Sequence, residues 1–545
     1  MKSRLLVSAV MIFAALANSF ACTNLIVGKK ASADGSTIVS YSADSYGLFG
    51  ELYHFPAAKY PKGTMLKVFD WDSGKYLGEI EQAEQTYNVI GNMNEFQLTI
   101  AETTFGGRKE LQDPNGLIDY GSLIYIALQR SKNAREAIKV MTDLVKKYGY
   151  YSGGESFTIA DPNEIWIMEM IGKGPGVKGA VWVAIRVPDD CISAHANQSR
   201  IHQFNLNDKE NCVYSPDVIS FAREKGYFDG LNKDFSFSKA YAPLDFGARR
   251  FCEARVWSFF NKYTDKGQEY LPYIKGDNDN PMPLFMKPTK KLSVRDVQDM
   301  MRDHYEGTDL DISKDFGAGA YSLPYRISPL TFKVDDKEYF NERPISTQQS
   351  GFVFVAQMRE YKINPVGGVL WFGVDDANMT VFTPVYCCTT KAPECFTRVD
   401  GADYITFSWN SAFWIFNWVS NMVYQRYSVM IGDLREKQTE LEDTFAHAQA
   451  GVEAEAERLA KVDEKEAVKF LTNYTNMAAT NMFETWKKLG VFLIVKYNDF
   501  VTKRVKDGKF ERNEIGQPAG VIRQGYSKEF LEEYVKRTGN RYLVK

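Results

Sequence analysis

The first 21 residues end on a cleavage pattern that would leave a cysteine as the first residue of the chain. Lys2 and Arg4 precede an apolar run from Leu5 to Leu16, and Ser19 and Ala21 supply the small residues of a secretory signal peptide. The run is shorter than the ~20 residues a membrane helix needs, so it reads as an address and not as a span. Cleavage after Ala21 exposes Cys22, which stands just ahead of the β-like run Asn24-Leu-Ile-Val27. A chain cut there must tie its own terminus into the head of a strand. A lipoprotein leader also ends before a cysteine, but it favours Leu three residues earlier, followed by small residues. Here Ser19, Phe20 and Ala21 occupy those places, and bulky Phe20 argues for ordinary cleavage over lipidation.

Export implies an oxidising compartment, periplasmic or extracellular. Six further cysteines (Cys191, Cys212, Cys252, Cys387, Cys388 and Cys395) then read as structural disulfides or as buried thiols, and spacing does not choose between pairings. No Cys-x-x-Cys pair supports a zinc or redox motif. The formal net charge of −3, with two cations lost alongside the leader, offers no basic surface for nucleic acid. Apolar residues make up 44% of the 545, enough for a large core and too many for a disordered chain.

Short β-like runs follow Cys22. Asn24–Val27 and Ser36–Tyr41 flank a turn at Ala31-Ser-Ala-Asp-Gly35, and Val89-Ile90 and Leu98–Ala101 flank Gly91-Asn-Met-Asn94. Two helical stretches come next. In the second, Ala134, Ala137, Ile138, Met141, Leu144 and Val145 recur at spacings of three and four, which predicts one apolar face. Strands return at Ser156–Ala160, Glu164–Met168, Val181–Ile185 and Ile192–Ala194, then at Gly351–Ala356 and Gly368–Gly373. Blocks of strands, helices and strands predict an α+β protein with stacked antiparallel sheets and helices outside. The glycine-rich Gly172–Gly179 lacks the Gly-Lys-Ser/Thr ending of a phosphate loop and reads as a hairpin loop. Asp277-Asn-Asp-Asn280 runs into Pro281 and reads as a surface turn, not a calcium loop. From about residue 401 the chain becomes helical. Phe413–Tyr424 is apolar, but Asn417 and Asn421 make a membrane span improbable, and Asp433–Val462 reads as long helix.

A thiol on the first residue carries a base within the same residue. An α-amine titrates near 7.7–8.0 and a thiol near 8.5, so the amine can take the thiol proton and later return it to a leaving amine. Such a nucleophile needs an acceptor to hold the amine and donors for the oxyanion, but no catalytic His. The rival is a papain-like Cys/His/Asn set with His195 and Asn197. It conflicts with a cysteine that opens a strand. His-Glu-x-x-His and Gly-x-Ser-x-Gly are both missing from the sequence, and neither metal nor cofactor is expected.

The segment Cys22-Thr-Asn-Leu-Ile-Val-Gly-Lys-Lys-Ala-Ser-Ala-Asp-Gly-Ser-Thr37 resembles the start of the PepD-type bacterial cysteine dipeptidases. Further matches in the same order are Gly91-Asn-Met-Asn-Glu95, Ala101-Glu-Thr-Thr104, Asp119-Tyr-Gly121, Gly153-Gly-Glu-Ser156, Ala160-Asp-Pro-Asn-Glu-Ile-Trp166, His195-Ala-Asn197, Asp303–Thr308 and Val369–Gly373. The resemblance implies an αββα N-terminal-nucleophile sandwich over residues 22–400, related to penicillin V acylases and bile salt hydrolases, with a mainly helical C-terminal region over 401–545. It implies metal-free hydrolysis of dipeptides. Carried over by motif, Cys22 would be the nucleophile and, through its amine, the base. Asp44 would hold the amine, Asn197 would donate to the oxyanion, and Thr104 stands where acylases carry a second oxyanion residue. Arg250, in Arg249-Arg250-Phe251, resembles a late arginine that stabilises the site, with Arg249 the other choice.

One departure stands out. Where many relatives read Ala-Arg-Asn-Glu-Asp-Ser, this chain reads Ser40-Tyr-Ser-Ala-Asp-Ser45, so Tyr41 replaces the expected arginine. Tyrosine donates one hydrogen bond but brings no fixed charge to the thiolate. Two alternatives to the dipeptidase therefore stay open: an N-acyl amide hydrolase on the same fold, and a lipidated surface protein that binds peptides. A dipeptidase also needs an acidic group for the free amine of its substrate, for which Glu102 and Glu155 are candidates. Side-chain preference and self-association are not legible in the sequence.

Overall fold

The computed structural model describes residues 22–327 and 329–545, so the expected signal peptide lies outside the described residues. The chain is α+β, with two mixed-connection antiparallel sheets and helices against them. Strands β1 (Asn24–Val27) and β2 (Thr37–Asp44) form the hairpin predicted around Ala31–Gly35, with Ile26 opposite Val39. Strands β3 (Thr99–Gly106), β4 (Gly154–Ala160), β5 (Ile165–Gly172) and β6 (Ala180–Arg186) pair in sequence as the centre of an eight-stranded sheet. The glycine-rich loop is the β5–β6 turn, with Gly172 opposite Ala180. Strand β7 (Ile192–His195) then crosses back to pair with β1, and β8 (Ser350–Met358) pairs with β2, inside a six-stranded sheet.

The two sheets meet through β2 against β3 and β4. Every residue of β1, β2, β4, β5 and β8 is buried, the signature of strands covered on both faces. Helices α1 (Tyr120–Arg130) and α2 (Ala134–Tyr148) cover the eight-stranded sheet. Asp119 caps α1 by accepting from the Gly121 and Ser122 amides, and Asn133 caps α2 by accepting from Glu136. The face of α2 read from the sequence, Ala134 to Val145, is the face it buries.

Against the other sheet lie α3 (Ala254–Tyr263) and three C-terminal helices, α4 (Ala412–Gln425), α5 (Tyr427–Ala460) and α6 (Glu464–Tyr497). Gly451 does not break α5. One hydrophobic core runs from Cys22 to Tyr497, so these helices share the interior of the sheets. Buried charges stitch them on: Arg359 pairs with Glu453 at 2.7 Å, and Glu442 accepts from the Phe382 amide at 2.9 Å. Among the described residues no helix is long and apolar enough to cross a membrane. All seven cysteines are free thiols, six buried and Cys252 half-buried, so of the two readings above the structure has thiols.

Asp375 ties α4 to the sheet, accepting from Asn417 at 2.9 Å and Ser420 at 2.5 Å. Burial pushes its carboxyl up to about 7. The folded chain therefore keeps a proton that the unfolded chain releases near pH 4. Stability from this group is complete below that pH and is lost as pH rises through about 7. Replacing it by Asn should remove that loss. The urea midpoint of Asp375→Asn should fall less between pH 5 and pH 8 than that of the parent, by an amount equivalent to at most about 3 kcal/mol, since only the two units from pH 5 to the folded value near 7 are crossed.

Candidate active site

Cys22 leads into β1 and is tied to β2 through Thr23, which exchanges backbone hydrogen bonds with Ser42. The thiol is buried. It donates to Glu102 Oε1 at 3.5 Å and lies 3.6 Å from the Tyr41 hydroxyl. Tyr41 in turn donates to the same Glu102 oxygen at 2.6 Å. Burial pushes the thiol pKa well up, and the carboxylates of Glu102 and Asp44 push it further. Thiolate is therefore scarce at neutral pH, and attack by this sulfur needs a base that takes its proton. In the full-length chain Cys22 is joined to Ala21, so its nitrogen is an amide and no base.

Asp44, at the end of β2, acts on Cys22 through its charge and its backbone amide. Its carboxylate is clamped on three sides, by Arg343 at 2.6 Å, Ser350 at 2.6 Å and Ser42 at 3.0 Å. Asn197 sits just beyond β7 in the left-handed region, φ 63°, which asparagine tolerates better than most residues. One amide hydrogen of Asn197 goes to the Thr104 carbonyl at 2.8 Å, leaving a second to give. The Thr104 hydroxyl itself donates to Glu155 Oε1 at 2.7 Å, so in this arrangement it is engaged away from the thiol.

Arg250 is placed elsewhere. Its guanidinium ion-pairs with Glu342, donates to the Ile274 carbonyl at 3.3 Å and lies 5.0 Å from the Phe340 ring centroid. Arg249 pairs with Asp279 at 2.6 Å. The arginine that reaches Cys22 is Arg255, one turn further along. It donates to the Cys22 carbonyl at 2.6 Å, Thr23 Oγ1 at 2.7 Å, the Ala196 carbonyl at 3.1 Å and Asn197 Oδ1 at 2.9 Å. A wide π-type turn at Ala248–Glu253 leads into α3, and the Phe251 carbonyl accepts from Arg255 Nε at 2.7 Å. The sequence did hold a signal for it. Phe251, Arg255 and Phe259 share a helical face by spacing, and an arginine on an apolar face must find buried acceptors.

His195 does not serve the thiol. Thr103 and Thr158 hold its two ring nitrogens at 2.7 Å each, and burial pulls its pKa down to about 3. It is a neutral wedge between the sheets, and no papain-like pair forms. Among the described residues no cluster of His, Cys, Asp and Glu could hold a metal.

Residues 21–53 and 48–440 match peptidase family C69. The chain belongs to that family. It is thus a peptidase of the cysteine type, similar to several bacterial proteins. A "Probable dipeptidase" of Salmonella dublin is 27% identical over 386 residues, 67% of this chain and 81% of that one. A "Probable dipeptidase" of Latilactobacillus sakei is 25% identical over 496 residues, 87% and 95% of the two chains. "Dipeptidase A" of Lactobacillus helveticus is 23% identical over 446 residues, 78% and 84%.

Proposed function

We propose that this C69 peptidase is an exported dipeptidase whose nucleophile is the thiol of Cys22, activated once signal cleavage turns the Cys22 nitrogen into an amine. The observation that carries the reading is Arg255, one buried side chain bonded both to the Cys22 carbonyl and to the Asn197 amide oxygen. It fixes the thiol-bearing residue and a hydrogen-bond donor in one frame. The names of the relatives support the dipeptidase reading, and two antiparallel sheets flanked by helices support an αββα N-terminal-nucleophile fold.

In this reading the amine takes the thiol proton as sulfur bonds to the carbonyl carbon of the dipeptide. The oxyanion accepts from Asn197 Nδ2, with Thr104 available as a second donor if its hydroxyl turns from Glu155. Collapse breaks the C–N bond, and the ammonium returns its proton to the departing amino acid. The acyl group is left as a thioester on Cys22. Water, deprotonated by the same amine, then releases the second amino acid and restores the thiol. Asp44, fixed by Arg343 and Ser350, stands by to hold the ammonium.

The test is a panel of dipeptides and N-acyl amino acids offered to protein whose intact mass shows a free, unlipidated Cys22. Dipeptides should release both amino acids, with the acyl compounds at least about a hundredfold slower. The reverse ranking would make the protein an acylase, and an acylated Cys22 would remove the base.

A further inference from the structure

Beside the thiol, two carboxyl groups face each other with no cation. Thr104 on β3 lies opposite Glu155 on β4, and Glu102 lies opposite Phe157, which makes Glu102 and Glu155 diagonal neighbours. Both are buried, Glu102 at 1% and Glu155 at 0% exposure. They share a hydrogen bond, and burial together with the Glu102 charge drives the Glu155 carboxyl well up, so one proton serves the pair. Neither carboxyl has an ion pair among the described residues. Apart from the proton the pair shares, the second oxygen of each, Glu102 Oε2 and Glu155 Oε2, has no donor, and Asn24 Oδ1 is likewise unpartnered although its amide nitrogen binds the Glu102 carbonyl at 2.8 Å. A buried pair that shares one proton still carries a negative charge, and with no cation beside it that charge is costly unless something cationic arrives.

Chain geometry says what fits. In a dipeptide the free nitrogen lies about 2.5 Å from the scissile carbonyl carbon, across one N–Cα and one Cα–C bond. Attack needs sulfur about 3–3.5 Å from that carbon, and an ammonium–carboxylate bond spans about 2.8 Å. A receptor for the amine must therefore sit within several ångströms of the sulfur, and Glu102 Oε1 lies 3.5 Å from it. Glu155 extends that receptor toward half-buried Thr104 and Asn197, the side on which the oxyanion donors stand.

We infer that Glu102 and Glu155 together bind the free α-ammonium of the substrate, and so determine that this peptidase takes peptides by their N-terminus. The inference rests on the dipeptidase reading and names the specificity residues of the same site. On binding, the pair gives up its shared proton to solvent and the ammonium replaces it as counter-charge. Tyr41, already donating to Glu102, keeps that carboxyl in place.

The experiment pairs the best-cleaved dipeptide with the acyl-amino acid that lacks only the amine; for Ala-Leu this is propionyl-Leu. Binding is measured by calorimetry on Cys22→Ala protein, and turnover on protein with the thiol. Without further change the dipeptide should bind at least tenfold more tightly than its des-amino partner. Adding Glu155→Gln, which keeps the shape and a partner for Thr104, should shrink that preference below about threefold. It should also cost the dipeptide about 10- to 100-fold in kcat/KM, mainly through KM. Glu102→Gln should do the same, with melting temperature as the control for folding. A preference that survives both substitutions overturns the inference. Equal losses for both ligands in Glu102→Gln also overturn it, because the carboxyl would then act on the thiol. A parent protein that cleaves acyl-amino acids but no dipeptide would instead sink the dipeptidase reading.

Discussion

Cys22→Ala is expected to lower dipeptide turnover by at least about ten-thousandfold, and a chain that still begins at Ala21 should lose about a hundred- to ten-thousandfold with its thiol intact. The two losses have different origins. Alanine removes the atom that forms the thioester, and neither tightly held water nor the neighbouring Glu102 can replace a covalent intermediate. Retaining Ala21 leaves the sulfur in place but converts its base into an amide. Because burial, Glu102 and Asp44 all push this thiol up, the loss of a matched base cannot be offset by thiolate already present. Cys22→Ser separates the two further. The hydroxyl fits the space but ionises far less readily, so a small residual rate is expected. Turnover is read with the panel's best dipeptide, after mass spectrometry of each chain's first residue. A chain beginning at Ala21 that keeps full activity would transfer the role of base to Glu102, 3.5 Å from the sulfur, and end the N-terminal mechanism.

Local chemistry made much of this molecule legible. The hairpin at Ala31–Gly35, the buried face of α2 and the β5–β6 loop follow from turn residues and periodicity over short stretches. Cys22 stood out in the sequence because the expected leader would end just before it. What escaped was long-range pairing. Glu442 and Glu453 sit in a charged run whose composition says only long helix, and they meet Arg302 and Arg359 from distant segments inside the core. The same blindness separates Arg250 from Arg255. Both are arginines in one helical stretch, and only the fold decides which faces Glu342 and which faces Cys22. Glu102 and Glu155 show an intermediate case. Their chemistry was readable, but their sharing of one buried site depends on the β3–β4 register.

Arg255 carries the second large effect. Its guanidinium is buried at 1% exposure, and burial with the nearby Arg343 lowers its pKa to about 10, still fully charged at neutral pH. Its donors are spent on the Cys22, Ala196 and Phe251 carbonyls, Thr23 Oγ1 and Asn197 Oδ1. Because Asn197 accepts from Arg255 through its oxygen, its nitrogen must point the other way, toward Thr104 and the place an oxyanion would occupy. Arg255→Ala strands the buried Cys22 and Ala196 carbonyls and frees that amide to rotate. The expected cost is about 3–5 kcal/mol of stability and about 10²–10³ in kcat, with KM little changed, since the donor matters only as charge develops on oxygen. Arg255→Lys tells positioning from stability. A single ammonium keeps the charge but cannot span Cys22 and Asn197 together, so it should recover part of the melting temperature and little of kcat. A folded Arg255→Lys protein with unchanged kcat would remove Arg255 from the site and leave the orientation of Asn197 to its left-handed backbone alone.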